Sequence, residues 1–221
     1  MEKSQELMQR YNNVFIFEHP LIKHKVSILR DKKTKMKDFR ELVEEITTVM
    51  TYESMRDIPL HPVKVQTPLE ECIQYRIDDD SIAIIPILRA GLGMVNGIHV
   101  VFPTAKVGHI GMARDEETAI PYEYYCKFPD DIEKKTVLLV DPMLATGGSA
   151  NDALAVLKKH GCTDIRFMCI IAAPEGIQAV AEKNPDVKIY VSTLDRCLND
   201  KCYILPGLGD AGDRLYGTKQ L

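Results

Sequence analysis

TVLLVDPMLATGGSA, residues 136–150, decides the fold. Thr136–Val140 is a short run of apolar and β-branched residues, the pattern of a strand buried on both faces. It runs into Asp141, then into Ala145-Thr146-Gly147-Gly148-Ser149, after which helical spacing begins. Two glycines and two hydroxyls at a strand-to-helix turn can aim several backbone N–H groups at one anion. The helix N-terminus adds a favourable dipole. No lysine precedes the Ser, so this is not a Walker A loop, and the spacing is not GxGxxG. A bare Gly-Gly turn is as often a plain helix entry. An acid five residues before a Thr-Gly-Gly-Ser nest is more specific. The carboxylate could hold sugar hydroxyls while the loop holds the phosphate on the same sugar.

Working outward, short apolar strands alternate with helical segments. The strands are expected at Ile82–Ile87, Ala105–Ile110, Thr136–Val140, Ile165–Ile171 and Val187–Ser192, and the helices at Leu92–Val101, Ser149–His160 and Ile177–Lys183. Such succession predicts an α/β fold with a mainly parallel sheet flanked by helices. Upstream, Phe39, Leu42, Val43, Ile46, Val49 and Met50 recur at three- and four-residue steps, predicting an amphipathic helix over Met36–Met55 with Thr34 as its cap. Val63–Thr67 and Cys72–Ile77 alternate like a hairpin off the main sheet. Met112–Lys127 breaks the pattern and reads as a projecting loop or hairpin. The tail after Leu205 carries Gly207, Gly209, Gly212 and Gly217, too many for one regular element. One domain over 1–221 is expected, with an N-terminal helical arm at about 1–60, a core at about 80–195 and a C-terminal segment at about 196–221. The two ends would form a small hood.

Bulk properties agree. A chain of 221 residues can bury about 70% of its extended surface, enough for one sizeable core. Hydrophobic residues are 45% and charged residues 27%, which excludes global disorder. The net charge of −4 argues against a broad nucleic-acid footprint, and no apolar run approaches the ~20 residues of a membrane span. The charged N-terminus, MEKSQELMQR, is unlike a secretion signal. Cysteines 72, 126, 162, 169, 197 and 202 form no CxxC pair and read as thiols of a reducing compartment. The histidines lack metal-ligand spacing, so no protein-held metal site is expected.

Ligands of open α/β sheets bind outside the carboxyl ends of the strands. Three segments lie there. The loop after Val140 is described above. After Ile87 comes Leu88-Arg89-Ala90-Gly91-Leu92-Gly93, where a planar guanidinium beside small residues suits a diphosphate. A solvated arginine in a turn is the plainer alternative. After Ile110 comes Arg114, which alone would read as a surface partner of Asp115 or Glu116.

VLLVDPMLATGGSA resembles the 5-phosphoribosyl 1-diphosphate (PRPP) signature of the type I phosphoribosyltransferases, in the Asp-Pro form seen in the uracil phosphoribosyltransferases. Pro142 stands where most relatives carry a second acid. The resemblance runs from about His19 to Thr218 and includes HPLIKHKVSILRD, IIPILRAGLGM, KVGHIGMARDEET, MCIIAAPEG and YILPGLGDAGDRLYGT. It implies a cytoplasmic pentosyltransferase of pyrimidine salvage, making UMP and diphosphate from uracil and PRPP. It implies PRPP contacts at Arg89, at Arg114 on a mobile loop, along Asp141, Pro142, Met143, Leu144, Ala145, Thr146, Gly147, Gly148 and Ser149, and at Asp210. Ala113 replaces an aromatic that is usual before the Arg. The catalytic set implied is Arg89, Arg114, Asp141 and Asp210, with Asp210 a candidate to take the uracil N1 proton through water. Uracil contacts are implied at Ile204, Gly209, Asp210 and Ala211.

A glycine-permissive tail suits that base. Uracil offers acceptor, donor, acceptor, which backbone N–H, C=O and N–H can match, whereas cytosine would leave buried groups unpaired. The resemblance further implies Mg²⁺ bound mainly through PRPP and water, a homodimer or homotetramer and, in some members, a GTP effector. No nucleic-acid or membrane partner is expected. Two alternatives stay open: transfer to another base, and a non-catalytic RNA-binding regulator. The second would need the basic cluster Lys23, His24, Lys25, Lys32, Lys33, Lys35 and Lys37, which reads more simply as a solvated face.

Overall fold

Five consecutive residues of Thr136–Val140 are buried, as are six of the seven in Ile82–Leu88. Neighbouring side chains along a strand point to opposite faces. Ala83, Ile85, Val137, Leu139, Phe167 and Cys169 therefore enter one core, and Ile82, Ile84, Leu138, Val140, Met168 and Ile170 enter the other. Continuous apolar strands thus carry a sheet covered on both faces.

The computed structural model describes residues 2–114 and 121–218, with the side chains at 113, 114 and 121–123 outside the description. In chain order the first part contains α1 (Glu2–Arg10), β1 (Val14–Ile16), α2 (Pro20–Arg30), α3 (Met36–Ser54), β2 (His61–Gln66) and β3 (Glu71–Arg76). There follow β4 (Ile82–Leu88), α4 (Leu92–Val101), β5 (Lys106–Val107), β6 (His109–Arg114) and β7 (Pro121–Lys127). After a 3₁₀ turn at Ile132–Lys134 come β8 (Thr136–Val140), β9 (Met143–Leu144), α5 (Gly148–Lys159), β10 (Asp164–Ala172), α6 (Pro174–Lys183) and β11 (Lys188–Leu194). The tail holds β12 (Cys197–Leu198), β13 (Ile204–Leu205) and α7 (Ala211–Tyr216).

The main sheet runs β1-β11-β10-β8-β4-β6-β7, with β5 beside β4 and β9 beside β10. Every pairing is parallel except β6 with β7. Register aligns Ile84 with Leu138, and Leu138 with Arg166. The core on the face of α1, α5 and α6 contains Leu7, Leu154 and Ile177. The other contains Leu29, Phe39, Met94 and Leu215, from α2, α3, α4 and α7.

The expected hairpin is β2 with β3, antiparallel; of the stretch at 112–127, the described residues pair as β6 with β7, antiparallel, and 115–120 lie outside the described residues. Three expectations need correction. The strand expected at Ala105–Ile110 is divided at Gly108, where an added Cβ would meet Ile85 Cδ1 at 2.7 Å and the Lys127 carbonyl oxygen at 2.8 Å. Thr34 does not cap α3: Lys35 occupies the cap without a side-chain bond, and Thr34 Oγ1 donates to the Ile28 carbonyl at 2.5 Å. Helix α6 begins at Pro174 rather than Ile177, because proline at the first helical position has no N–H to lose.

Within the basic cluster, Lys23 pairs with Glu18, Lys25 with Glu45 and Lys37 with Glu41. Cys162 and Cys169 are buried thiols. Among the described residues no helix is long and apolar enough to cross a membrane. Phe167 is fully buried on the inner strand β10. Phe167→Ala should cost about 3–5 kcal/mol, read by urea unfolding with an unchanged denaturant slope.

Candidate active site

The chain leaves β4 through α4 toward β5 and β6, and leaves β8 through α5 toward β10, on the other side. Because β4 and β8 are neighbours, their carboxyl ends flank a topological switch point, where open α/β sheets bind ligands. The loop after β8 is held there from the β10 side. Asp141 N–H donates to the Met168 carbonyl at 3.2 Å, and the Pro142 carbonyl accepts from Ile170 and Ile171 at 3.1 and 3.0 Å. Met143 and Leu144 then pair as β9 with Ile171 and Ala172.

Gly147 takes φ +82°, a left-handed conformation that turns the chain into α5. Thr146 Oγ1 accepts from the Gly148 N–H at 3.4 Å, and Ser149 is exposed in the first turn. The first N–H groups of α5 have no partner within the helix, so Thr146–Ser149 forms the anion-ready turn that its composition suggests. The loop also lies flat against the start of α6. A Cβ at Gly176 would stand 2.3 Å from the Ala145 carbonyl oxygen. Gly176 was absent from the expected set, although the AAPEG block contains it.

Arg89 follows β4, and the Leu88–Arg89 peptide is cis. Its loop crosses the end of β8 so closely that a Cβ at Gly91 would meet the Val140 carbonyl oxygen at 2.4 Å. The Tyr216 hydroxyl donates to the Arg89 carbonyl at 3.1 Å, tying this loop to the tail. Asp210 caps α7 by accepting from the Asp213 N–H at 2.8 Å. Arg89, Ala90, Met143, Asp210, Ala211 and Gly212 line one cavity of about 200 Å³. Three distant stretches of sequence thus meet at a single hollow.

The expected residues separate into groups. Arg89, Met143, Asp210 and Ala211 share the cavity, while Asp141 lies close enough to feel the charge of Asp210. Pro142 and Leu144–Ser149 belong to the adjoining loop. Ile204 is buried in the core as part of β13, and Gly209 is exposed at φ +84°; neither lines the cavity. Arg114 ends β6 opposite Pro121, and its side chain lies outside the described residues, as does that of Ala113. Among the described residues no group of three or more His, Cys, Asp or Glu is placed to hold a metal. Larger hollows lie elsewhere, one of about 580 Å³ beside β1, α2 and α3 and one of about 730 Å³ at the foot of the β2–β3 hairpin. Neither is lined by the loops that follow β4 and β8.

Burial pushes the Asp141 carboxyl up to about 7; the nearby Asp210 carboxylate adds to the rise, and the Met143 N–H, 3.4 Å away, opposes it. The effect on stability has a definite sign. An acid whose folded pKa is raised costs nothing below its unfolded value of 3.8, costs more as pH climbs, and levels off above about 7. Asp141→Asn should therefore make the ligand-free chain more stable than the parent at about pH 7.5, with the gain gone by about pH 4. Urea unfolding across that range measures it. A difference that does not vary with pH would contradict the raised pKa.

The family model described as uracil phosphoribosyltransferase matches residues 16–218, leaving α1 outside the match. The uracil phosphoribosyltransferase of Finegoldia magna is 57% identical over 208 residues, which is 94% of this chain and 100% of that protein. That of Oceanobacillus iheyensis is 55% identical over 207 residues, 94% of this chain and 99% of the relative. The structure of the AQ2163 protein from Aquifex aeolicus matches with a TM-score of 0.88 at 40% identity, covering 94% of this chain and 100% of that one. The adenine phosphoribosyl transferase of Trypanosoma brucei shares the fold, with a TM-score of 0.56 at 14% identity over 90% of this chain and 88% of that one. The chain belongs to the uracil phosphoribosyltransferase family.

Proposed function

We propose that this chain transfers the 5-phosphoribosyl group of PRPP to N1 of uracil, releasing UMP and diphosphate, in pyrimidine salvage. One observation carries the proposal. The Asp141–Ser149 loop, the Arg89 loop and the Asp210–Gly212 tail converge at the switch point between β4 and β8.

The phosphate would rest on the Thr146–Ser149 turn, held by N–H groups at the start of α5 and by the two hydroxyls. Asp141 would hold the ribose hydroxyls. Its raised pKa belongs to the ligand-free chain, and a cationic ribose ring beside it would favour the charged form. Arg89 would grip the departing diphosphate, assisted by Arg114. As the bond to C1′ breaks, positive charge grows on the sugar and negative charge on the leaving group. Arg89 and Asp141 are the fixed charges that meet them. N1 of uracil then closes on C1′ from the opposite face, giving inversion, and catalysis is mainly positional and electrostatic. Asp210 keeps one oxygen on the Asp213 N–H, so its other oxygen is the one to accept the N1 proton through water. The tail at Ile204 and Gly209–Ala211 would read the base by main-chain groups.

Asp141 and Asp210 near one cleft, with no group of three or more His, Cys, Asp or Glu placed to hold a metal among the described residues, would suit a hard cation that takes most of its oxygens from substrate and water. Bound Mg²⁺ would neutralise charge on the diphosphate. The proposal extends to a homodimer or homotetramer, supported by the bare β2–β3 hairpin, where Leu69 is 94% and Tyr75 65% exposed. A GTP effector and a cytoplasmic setting rest on the family resemblance alone.

A diphosphate-release assay with PRPP and Mg²⁺, run with uracil, cytosine and hypoxanthine and with or without GTP, tests the whole reading. Uracil alone should support turnover, and comparable rates with cytosine would refute recognition by main chain. Arg89→Ala should lower kcat/KM by about a hundredfold or more while Tm is kept. Near-normal turnover of that variant would remove Arg89 from the site.

A further inference from the structure

The glycine-rich tail needs an external reason to hold one shape. Gly207 and Gly209 sit at φ +66° and +84°, and glycine backbone has the most freedom to lose on ordering. Two arginines outside the expected site supply the restraint. Arg30, at the end of α2, forms a two-pronged pair with Asp195, just after β11. The same pair engages both main-chain polar groups of Gly207. Asp195 Oδ2 accepts from the Gly207 N–H at 2.9 Å, and Arg30 Nη1 donates to the Gly207 carbonyl at 2.8 Å.

Arg214, on α7, completes the hold. Its Nη1 donates to the Leu208 and Leu29 carbonyls, both at 2.8 Å, and its Nη2 to the Asp31 carbonyl at 2.7 Å. Leu29 and Asp31 lie at the C-terminal end of α2, where helix carbonyls lack intrahelical donors. The guanidinium also lies 4.3 Å from the centre of the Phe39 ring, which orients it. The end of α2 therefore meets the tail twice, at Gly207 through Arg30 and at the Arg214 guanidinium, which in turn holds the Leu208 carbonyl immediately before Gly209 and Asp210.

We propose that Arg30, Asp195 and Arg214 are positioning residues for base recognition, fixing the main chain of residues 207–210 so that its peptide groups meet the nucleobase in one register. The proposal rests on the base assignment made above. None of the three lines the cavity, so each acts through the backbone it holds. Only a fork matches this pattern of carbonyls and carboxylate; a lysine ammonium keeps the charge and loses the geometry.

The test uses Arg214→Lys and Asp195→Asn in the full chain, with Arg30→Lys replacing either one that fails to fold. The KM for uracil should rise about tenfold or more, the KM for PRPP should stay within about twofold, and preference for uracil over cytosine should fall about tenfold. Hydrogen exchange on the same proteins should speed up for amides at 204–212 while β8 and β10 stay protected. A fall in Tm with both KM values unchanged would assign the clamp to stability alone and overturn the proposal. Parallel rises in both KM values, or uniform loss of protection, would overturn it as well. Failure of the unaltered chain to release diphosphate with uracil would instead remove the base assignment, and this proposal with it.

Discussion

The parallel pairing of β4 with β8 is the constraint on which the rest depends. It sets Pro86 beside Val140, so the two strands end within two residues of each other and their loops emerge side by side. Their crossovers then leave in opposite directions, which opens a crevice that neither helix layer covers. The contact is close enough at Gly91 to exclude any side chain. The basic Arg89 loop and the acidic Asp141 loop are therefore neighbours because of strand order.

That arrangement has a cost, visible at Asp141. Its carboxyl is drawn into the strand ends, with a weak N–H contact from Met143 and a like charge nearby at Asp210. The ligand-free fold keeps this group poorly solvated, and two buried cores with well-packed strands offset the penalty. A ligand whose hydroxyls donate hydrogen bonds to this carboxyl would relieve the penalty and would stabilise the fold by mass action.

The bottom of the sheet has a different character. Arg166 is almost wholly buried and pairs with Asp57 and the Ser54 carbonyl, while Lys188 also reaches Asp57. These contacts pin the end of α3 to the amino ends of β10 and β11. Charge there serves packing, whereas charge at the carboxyl ends faces the cavity. The same residue types thus do unlike work at opposite ends of one sheet.

Much of this was determined by local pattern. Continuous apolar runs marked the core strands, and Leu92–Val101 and Thr136–Val140 carry in their own residues the bounds seen in the fold. The Asp141 to Ser149 turn was legible because its chemistry is contiguous. Strand order was not, since parallel partners such as Ile84 and Leu138 are far apart in the chain. Gly176 gained meaning only when α6 was seen against Ala145, and the Ile204 side chain is seen to pack into the core only once β13 is in place. The hold of Arg30, Asp195 and Arg214 on the tail joins three separate segments. Contiguous residues declare their chemistry through spacing, but contacts closed across long loops depend on the packed sheet that brings their ends together.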